Sequence, residues 1–532
     1  MIEDTFTVAF ESGRGMIMDG MKRTYLKNRV RSVVICLVLV IAMGAGVLVA
    51  GNSASAKKAA KKTVKIALSK KDLTVQAGTE KMLRLKGVPL KKFKKIKWSV
   101  SDASVTRVYT DSILGEAYVF GYKAGKAKVT AKYKKKTYTC KVTVKTGTSG
   151  KVYLPSEETG AGTDGNDYWD TAVYWSYKDS WFTAPASTYN QKIATISSIL
   201  AWSSKPDYSE GTKGNTAYYV KRVTDMLGFT GFRTNDDYKV KPTTDSFGVA
   251  FAKKSIKSGD KTYTLIVIVP RSSGYEKEWA SNLLLGSGTG DHEGFKKSSE
   301  KLVAGLKQYI VDEQISGDIK LWFAGHSRGA TASNLAEAYI ADHPGELSDA
   351  VYFTNEDIYG YNLSCLNATS YSSDDEKKKK ETGYPFIHNI QMPHDIIPRL
   401  ISESYGFTKY GETREIKVSK SDEGEAYTLL KSVDRAVWSI FYKNNPREQD
   451  ADGLIAAFEA AMKKTIPDRQ AYVDSFQADA IKAVEGSGEP WLAFTPVLLN
   501  MDYKGDANLN TVIIEHYLQV IYCFLTDYRM LG

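Results

Sequence analysis

The sequence predicts an α/β protein, a sheet covered by helices on both faces and interrupted by a helical insertion, preceded by a small all-β sandwich. Three observations predict it. From about residue 168 onward, helix-patterned and strand-patterned segments alternate. One of the strands, in "KTYTLIVIVPR" (261–271), is a near-continuous apolar run, as expected of a strand buried on both faces. Between residues 62 and 146 the pattern is different: short alternating runs, separated by Gly, Ser, Asp and Lys. At 532 residues the chain is long enough for more than one domain.

Taken in order, residues 1–56 read as a targeting segment. "MKRTYLKNRVRS" (21–32) is basic, "VVICLVLVIAMGAGVLVA" (33–50) is uninterrupted apolar, and "GNSASA" (51–56) is small and polar. That order predicts a secretion signal over about 21–56, with Ala54–Ser55–Ala56 as the cleavage site. An uncleaved membrane anchor is the rival reading, because the run is 18 residues long. The expected location is therefore outside the cell or on its surface. Cys140, Cys365 and Cys523 remain after the signal, widely spaced and odd in number, so neither a disulfide framework nor a zinc pattern follows.

Residues 57–148 form the predicted β-sandwich. Over 57–150 there are 25 Lys and Arg against 5 Asp and Glu, a net of +20. Residues 151–532 carry −11. A lysine-rich surface suits an anionic cell-wall polymer or a membrane surface, and the plainer alternative is a solvated face. No nucleic-acid-binding motif is present. The stretch 149–167 is rich in Gly, Ser, Thr and acidic residues and reads as a linker. In the α/β region (168–532), helices are expected in "STYNQKIATISSILAWSS", "TAYYVKRVTDMLGF" and "FKKSSEKLVAGLKQYIVDE". Strands are expected in "SFGVAFAKKS", "KTYTLIVIVPR", "DIKLWF", "DAVYFTNED" and "PFIHNIQMPHDIIPRL". An insertion over about 411–505 has helical pattern in "RAVWSIFYKNN", "DGLIAAFEAAMKK" and "RQAYVDSFQADAIKAVEG".

The chemistry is concentrated in "FAGHSRGA" (323–330), a G-x-S-x-G between a predicted strand and a predicted helix. A sharp turn there lifts the Ser327 hydroxyl above the sheet, and the helix aims its first amides at developing negative charge. A serine needs a base, and the base an orienting carboxylate. The six histidines are 292, 326, 343, 388, 394 and 516. His326 points elsewhere on the turn, and His343 reads as a helix cap. In the strand–elbow–helix arrangement the partners follow in the order serine, acid, histidine. Asp395 stands at the exit of "NIQMPHD", and His516 is the one histidine beyond it. The alternatives are a solvated loop carboxylate for Asp395 and a buried histidine of an apolar terminal helix for His516. "DANLN" (506–510) lacks the twelfth-position acid of a calcium loop, since Tyr517 sits there, so no metal and no cofactor is expected.

Two resemblances add to this reading. Trp98–Ser99, Ser101–Asp102, "GYKAGKAKVTAKY" and "YTCKVTVK" resemble bacterial immunoglobulin-like group 2 domains, which implies a spacer or adhesion module over about 62–146. "LIVIVPRSSGYEKEW", "DHEGF", "WFAGHSRGATASNLA" and "NIQMPHDIIPRL" followed by "YGFTKYGETREI" resemble the class 3 (fungal-type) lipase family over roughly 245–400 and 508–525. That implies an α/β-hydrolase fold, with "YGFTKYGETREI" as a hairpin. It also implies Ser327 as nucleophile, Asp395 as orienting acid, His516 as base, Ser273 and the Arg328 amide as oxyanion donors, and a structural role for His292. Ser272 departs from the family's Gly, and Arg328 from its Leu, which puts a cation beside the nucleophile. The implied activity is cleavage of carboxylic, lipid-type esters, as lipase or esterase. A surface adhesion protein with a non-catalytic hydrolase fold and an esterase acting on acylated glycans are the alternatives.

Overall fold

The computed structural model describes residues 65–111, 116–154, 171–204, 217–238, 243–272, 276–417, 420–476 and 490–526, all within one compact unit. The targeting segment lies outside these residues, as does most of the stretch read as a linker. No helix among the described residues is long and apolar enough to cross a membrane.

The alternating runs near the N-terminus become two sheets. One has the order β1 (Asp72–Gln76), β7 (Lys136–Lys145), β6 (Gly125–Tyr133), β3 (Lys97–Val100); the other is β2 (Glu80–Leu83), β5 (Glu116–Gly121), β4 (Thr106–Asp111). Period-two alternation turns Leu73, Val75, Val129, Val142 and Val144 of the first sheet inward, with Leu83 and Val119 of the second in the same core. The lysines between them face out.

This module is packed onto the α/β region rather than tethered to it. The first six residues of the expected linker form β8 (Ser149–Leu154), antiparallel to β9 (Thr171–Ser176). Val152 and Leu154 alternate with polar residues and are buried, a strand pattern that the Gly and Ser around them concealed. The Arg222 guanidinium lies between the rings of Tyr122 (4.2 Å) and Tyr218 (4.1 Å), joining the module to a helix of the α/β body. Lys123 pairs with Asp225 at 3.2 Å across the same seam.

The α/β body is built on a mixed sheet of order β10 (Thr230–Thr234), β11 (Val249–Ser258), β12 (Lys261–Pro270), β13 (Gly317–His326), β14 (Ile358–Leu363), β15 (Ile387–Gln391), β16 (Glu412–Glu415). The first three strands are antiparallel; from β12 onward every pairing is parallel. Leu265–Pro270 and Ile319–His326 are buried throughout, as strands covered on both faces must be. The faces can be told apart residue by residue. Trp322, paired in register with Tyr359, donates Nε1–H to Ser197 Oγ (2.9 Å) on α1 (Gln191–Ser203). Phe323 pairs with Gly360, and a Cβ on Gly360 would meet the Glu337 carboxylate at 2.3 Å on α5 (Arg328–Asp342). Helices thus cover both sides. Before α5 come α2 (Tyr218–Met226), α3 (Glu276–Leu283) and α4 (Glu293–Asp312), the last packed against α5. Burying Trp322 completely is worth about 2–3 kcal/mol by itself.

Two strand assignments change. "DAVYFTNED" supplies only Val351–Tyr352, a short pair at the start of β13, and the parallel strand beside the turn is "IYGYNL" (358–363). Its tyrosines pack inside, where their hydroxyls find partners; Tyr359 donates to Ala184 O at 2.6 Å. "YGFTKYGETREI" is not a hairpin. Phe407–Thr408 pairs with Thr369–Ser370, and Glu412–Glu415 joins the main sheet parallel to β15. Gly406 and Gly411, both at φ +79°, stand directly before the two strands and turn the chain into each.

The insertion carries α6 (Lys420–Val433), α7 (Arg435–Lys443), α8 (Ala451–Thr465) and α9 (Arg469–Ser475). Leu454, Phe458 and Tyr472 bury against Ile396, Leu400, Tyr405 and Phe407, the loop that follows β15. A second apolar core therefore lies over the chain just after Asp395. The chain then closes with α10 (Leu509–Ile513) and α11 (Leu518–Leu525), the latter packed on α1.

Candidate active site

Ser327 occupies the single-residue turn between β13 and α5 at φ 53°, ψ −124°, a conformation that L-residues rarely take. Strain of this kind persists only where the surroundings impose it. Here the Ser327 N–H donates to Leu363 O (2.9 Å) on β14, and Thr331 N–H begins the helix by donating to Ser327 O (2.9 Å). The flanking glycines are required sterically. A Cβ on Gly325 would stand 2.7 Å from Ala330 N, and one on Gly329 2.9 Å from Pro270 O. The amides of Arg328 and Gly329 lie in the first turn of α5, where N–H groups have no partner within the helix.

His516 is in neither a strand nor the body of a helix. It ends a 3₁₀ turn, Ile514–His516, between α10 and α11. Its Nδ1 lies 2.9 Å from Asp395 Oδ2. That oxygen also accepts from Ser364 Oγ at 2.6 Å, and Asp395 Oδ1 accepts from the Ile397 N–H at 3.0 Å. Asp395 is fully buried, so its charge is stabilised by these three donors and not by water. The His516 ring packs on His326 with centroids 4.6 Å apart, and His326 Nε2 donates to the His516 carbonyl at 2.8 Å. His326, the residue before Ser327, therefore does not point away from the site. It ties the serine turn to the chain that carries His516.

The segment next to His516 is anchored from the insertion. Glu515 is fully buried and accepts from Arg447 Nη1 (2.6 Å) and from the His394 backbone N–H (2.8 Å). Its other contact is His394 Nδ1 at 3.3 Å. Arg447 in turn pairs with Glu423 at 2.6 Å. Two residues of the β15 exit loop, His394 and Asp395, thus hold two consecutive residues of the C-terminal turn.

The Arg328 side chain does not place its charge beside the serine hydroxyl. It runs inward, donating to Asn282 Oδ1 (2.8 Å), Ser298 Oγ (3.0 Å), Glu278 O and Ser246 O (both 3.3 Å). Burial lowers its pKa to about 10, so it stays protonated at neutral pH. Beside it Arg271 and Glu278 form a buried pair at 2.7 Å. A leucine could not satisfy this polar pocket, which accounts for the arginine. At the serine turn Arg328 therefore presents its main chain, not its side chain. Ser273, the other expected donor, lies outside the described residues.

The remaining histidines are structural. His292 caps α4, accepting from Phe295 N–H at Nδ1 (3.4 Å), with Nε2 on Asn282 O (3.1 Å). Burial drives its pKa down to about 3, so it is neutral. His388 faces Ala186 O at 2.9 Å, and burial lowers its pKa to about 4. His343 is bonded to Tyr339 O one turn back at 3.0 Å. Among the described residues no His, Cys, Asp and Glu group is arranged to hold a metal ion.

Three contributors escaped the sequence reading. Ser364 follows β14 at φ 50°, and the strand it ends was itself placed elsewhere. Glu515 and Arg447 are 68 residues apart, and no local motif links them. A Glu directly before the only eligible histidine was the one available signal. No family model matches the sequence, and neither does any curated protein.

Proposed function

We propose that the protein is a serine hydrolase of carboxylic esters, with an α/β-hydrolase fold and the site Ser327, His516 and Asp395. The observation that carries this is the 2.9 Å contact of His516 Nδ1 with a buried carboxylate, on a ring packed against the residue preceding a strained G-x-S-x-G serine. With Nδ1–H held by Asp395, Nε2 is free to act as base.

In this reading Ser327 Oγ attacks the acyl carbonyl as its proton passes to His516 Nε2. Asp395 stabilises the imidazolium, and the Arg328 amide, with Ser273, holds the oxyanion. The imidazolium then gives its proton to the leaving alcohol. Water, deprotonated by His516, releases the acid and restores the serine. The resemblance to class 3 lipases supports lipid-type esters as the substrate class. The β-module, as an immunoglobulin-like domain, would hold the enzyme at the surface of an exporting cell.

Hydrolysis of p-nitrophenyl esters of graded chain length, set beside amides and acetylated glycans, tests the reading. Ester turnover that falls by about 10⁴–10⁶ in Ser327→Ala supports it. Turnover of acetylated glycans alone would move the assignment to a glycan esterase, and folded protein inert on every substrate would favour a non-catalytic adhesion protein.

A further inference from the structure

The outward face of the sheet β1–β7–β6–β3 is built almost wholly of hydrogen-bond donors. Its exposed lysines are Lys97, Lys126, Lys128, Lys132, Lys141 and Lys145, interleaved with Ser and Thr. The register places like charges directly opposite one another: Lys97 faces Lys132, and Lys128 faces Lys141. Asp72, beside Lys141 on β1, is the one carboxylate on this face. The module's ion pairs among the described residues are Arg84–Glu116, Lys123–Asp225 and Lys151–Glu80, and none uses these six lysines.

Directly opposed like charges destabilise a sheet. Edge protection explains such lysines only on outer strands, and so covers Lys97 on β3 but not Lys128 and Lys141, which sit on the two central strands. The arrangement has a purpose if an anion lies across it. We propose that this face binds a linear phosphodiester polymer of the polyol-phosphate kind, one negative charge per repeat, laid over the rows of ammonium and hydroxyl donors. Tetrahedral phosphate oxygens accept from several such donors at once, and lysine serves as a flexible point charge for them. A membrane is the poorer occupant, because the face has no exposed aromatic or aliphatic side chain to enter a lipid interface; its outward residues are Lys, Ser, Thr, Gln and Asp.

The test is binding of the full-length chain to a fluorescent poly(glycerol phosphate) over a range of salt. Each neutralised contact should contribute roughly 0.7 to the log–log salt slope of a single-stranded polyanion. The variant K97Q/K128Q/K132Q/K141Q should bind at least about ten-fold more weakly with a shallower slope. It should melt no lower than wild type, since two repulsive pairs are gone. The control K91Q/K92Q/K94Q/K95Q, on the neighbouring 3₁₀ segment, should retain binding to within about two-fold. Equal losses in the two variants would overturn the proposal. So would no polymer binding by wild type, equal affinity for polyglutamate, or binding to anionic phospholipid vesicles that the four face substitutions weaken and the polymer does not compete away.

Discussion

At the residue scale, the arrangement around Asp395 makes the sharpest demands. Ser364 gives the carboxylate a hydrogen bond from a left-handed backbone position that costs free energy to maintain. Ser364→Gly keeps that backbone conformation and removes the hydroxyl. We expect kcat for ester hydrolysis to fall by about ten-fold with KM nearly unchanged, since one charge-assisted bond to the orienting acid is worth about 1.5–3 kcal/mol at most. Asp395→Asn should cost about 10⁴ in kcat by favouring the wrong imidazole tautomer. Measured on the same soluble ester, unaltered kcat in Asp395→Asn would remove the carboxylate from the mechanism, and unaltered kcat in Ser364→Gly would remove the Ser364 hydroxyl from it. The tight turn at Ser327 and the pairing of Asp395 with His516 were legible in the sequence because strand, turn and helix signals surround the serine and chain order limits the rest. Ser364 was not, because nothing in a short serine-containing loop announces a positive φ.

At the scale of elements, the turn and the insertion do separate work. The serine turn depends on close backbone approach, so Gly325→Ala should abolish activity and lower the melting temperature through the 2.7 Å clash with Ala330 N. The insertion braces the C-terminal turn through Arg447. Arg447→Gln leaves Glu515 buried with its strongest partner gone, a loss of about 3–5 kcal/mol, and kcat should fall with it. Adding Glu515→Gln should recover much of the stability, because a neutral amide needs no counter-charge; urea unfolding of the single and double variants reads this directly. The insertion's helices were legible from their periodicity. Their attachment to His516's neighbour was not, because long-range ion pairs leave no local pattern. The strand at 358–363 is absent from the sequence-based expectations, which put a strand at "DAVYFTNED" instead; its tyrosines carry polar groups, yet their hydroxyls find partners inside, as Tyr359 does on Ala184 and Tyr361 by accepting from the Asn190 N–H at 3.0 Å.

At the scale of the whole molecule, two buried neutral histidines set an acid limit. The folded-state values of His292 and His388, about 3 and about 4, lie below the unfolded value near 6.5. Below pH 6.5 the unfolded chain takes up protons that the folded chain refuses. Stability is therefore complete above that pH and declines as pH falls toward the folded values, by on the order of 2 kcal/mol per histidine at pH 5. Urea unfolding at pH 7.5 and pH 5 should show the loss, and His292→Asn, which keeps a capping acceptor, should reduce it by about half. A pH-independent midpoint over that range would contradict the burial of these rings as neutral groups. The boundary between the two modules was only partly legible: composition marked the change in charge, but not the Arg222 contact or the strand at 149–154 that joins them.

Whether Ser327 is a nucleophile activated by His516 is decided by reaction of the folded protein with a fluorophosphonate, followed by peptide mass mapping. One adduct is expected, on Ser327, absent in Ser327→Ala and formed at least about 10³ times more slowly in His516→Ala. An adduct elsewhere, or labelling of the alanine variant at the wild-type rate, would contradict it.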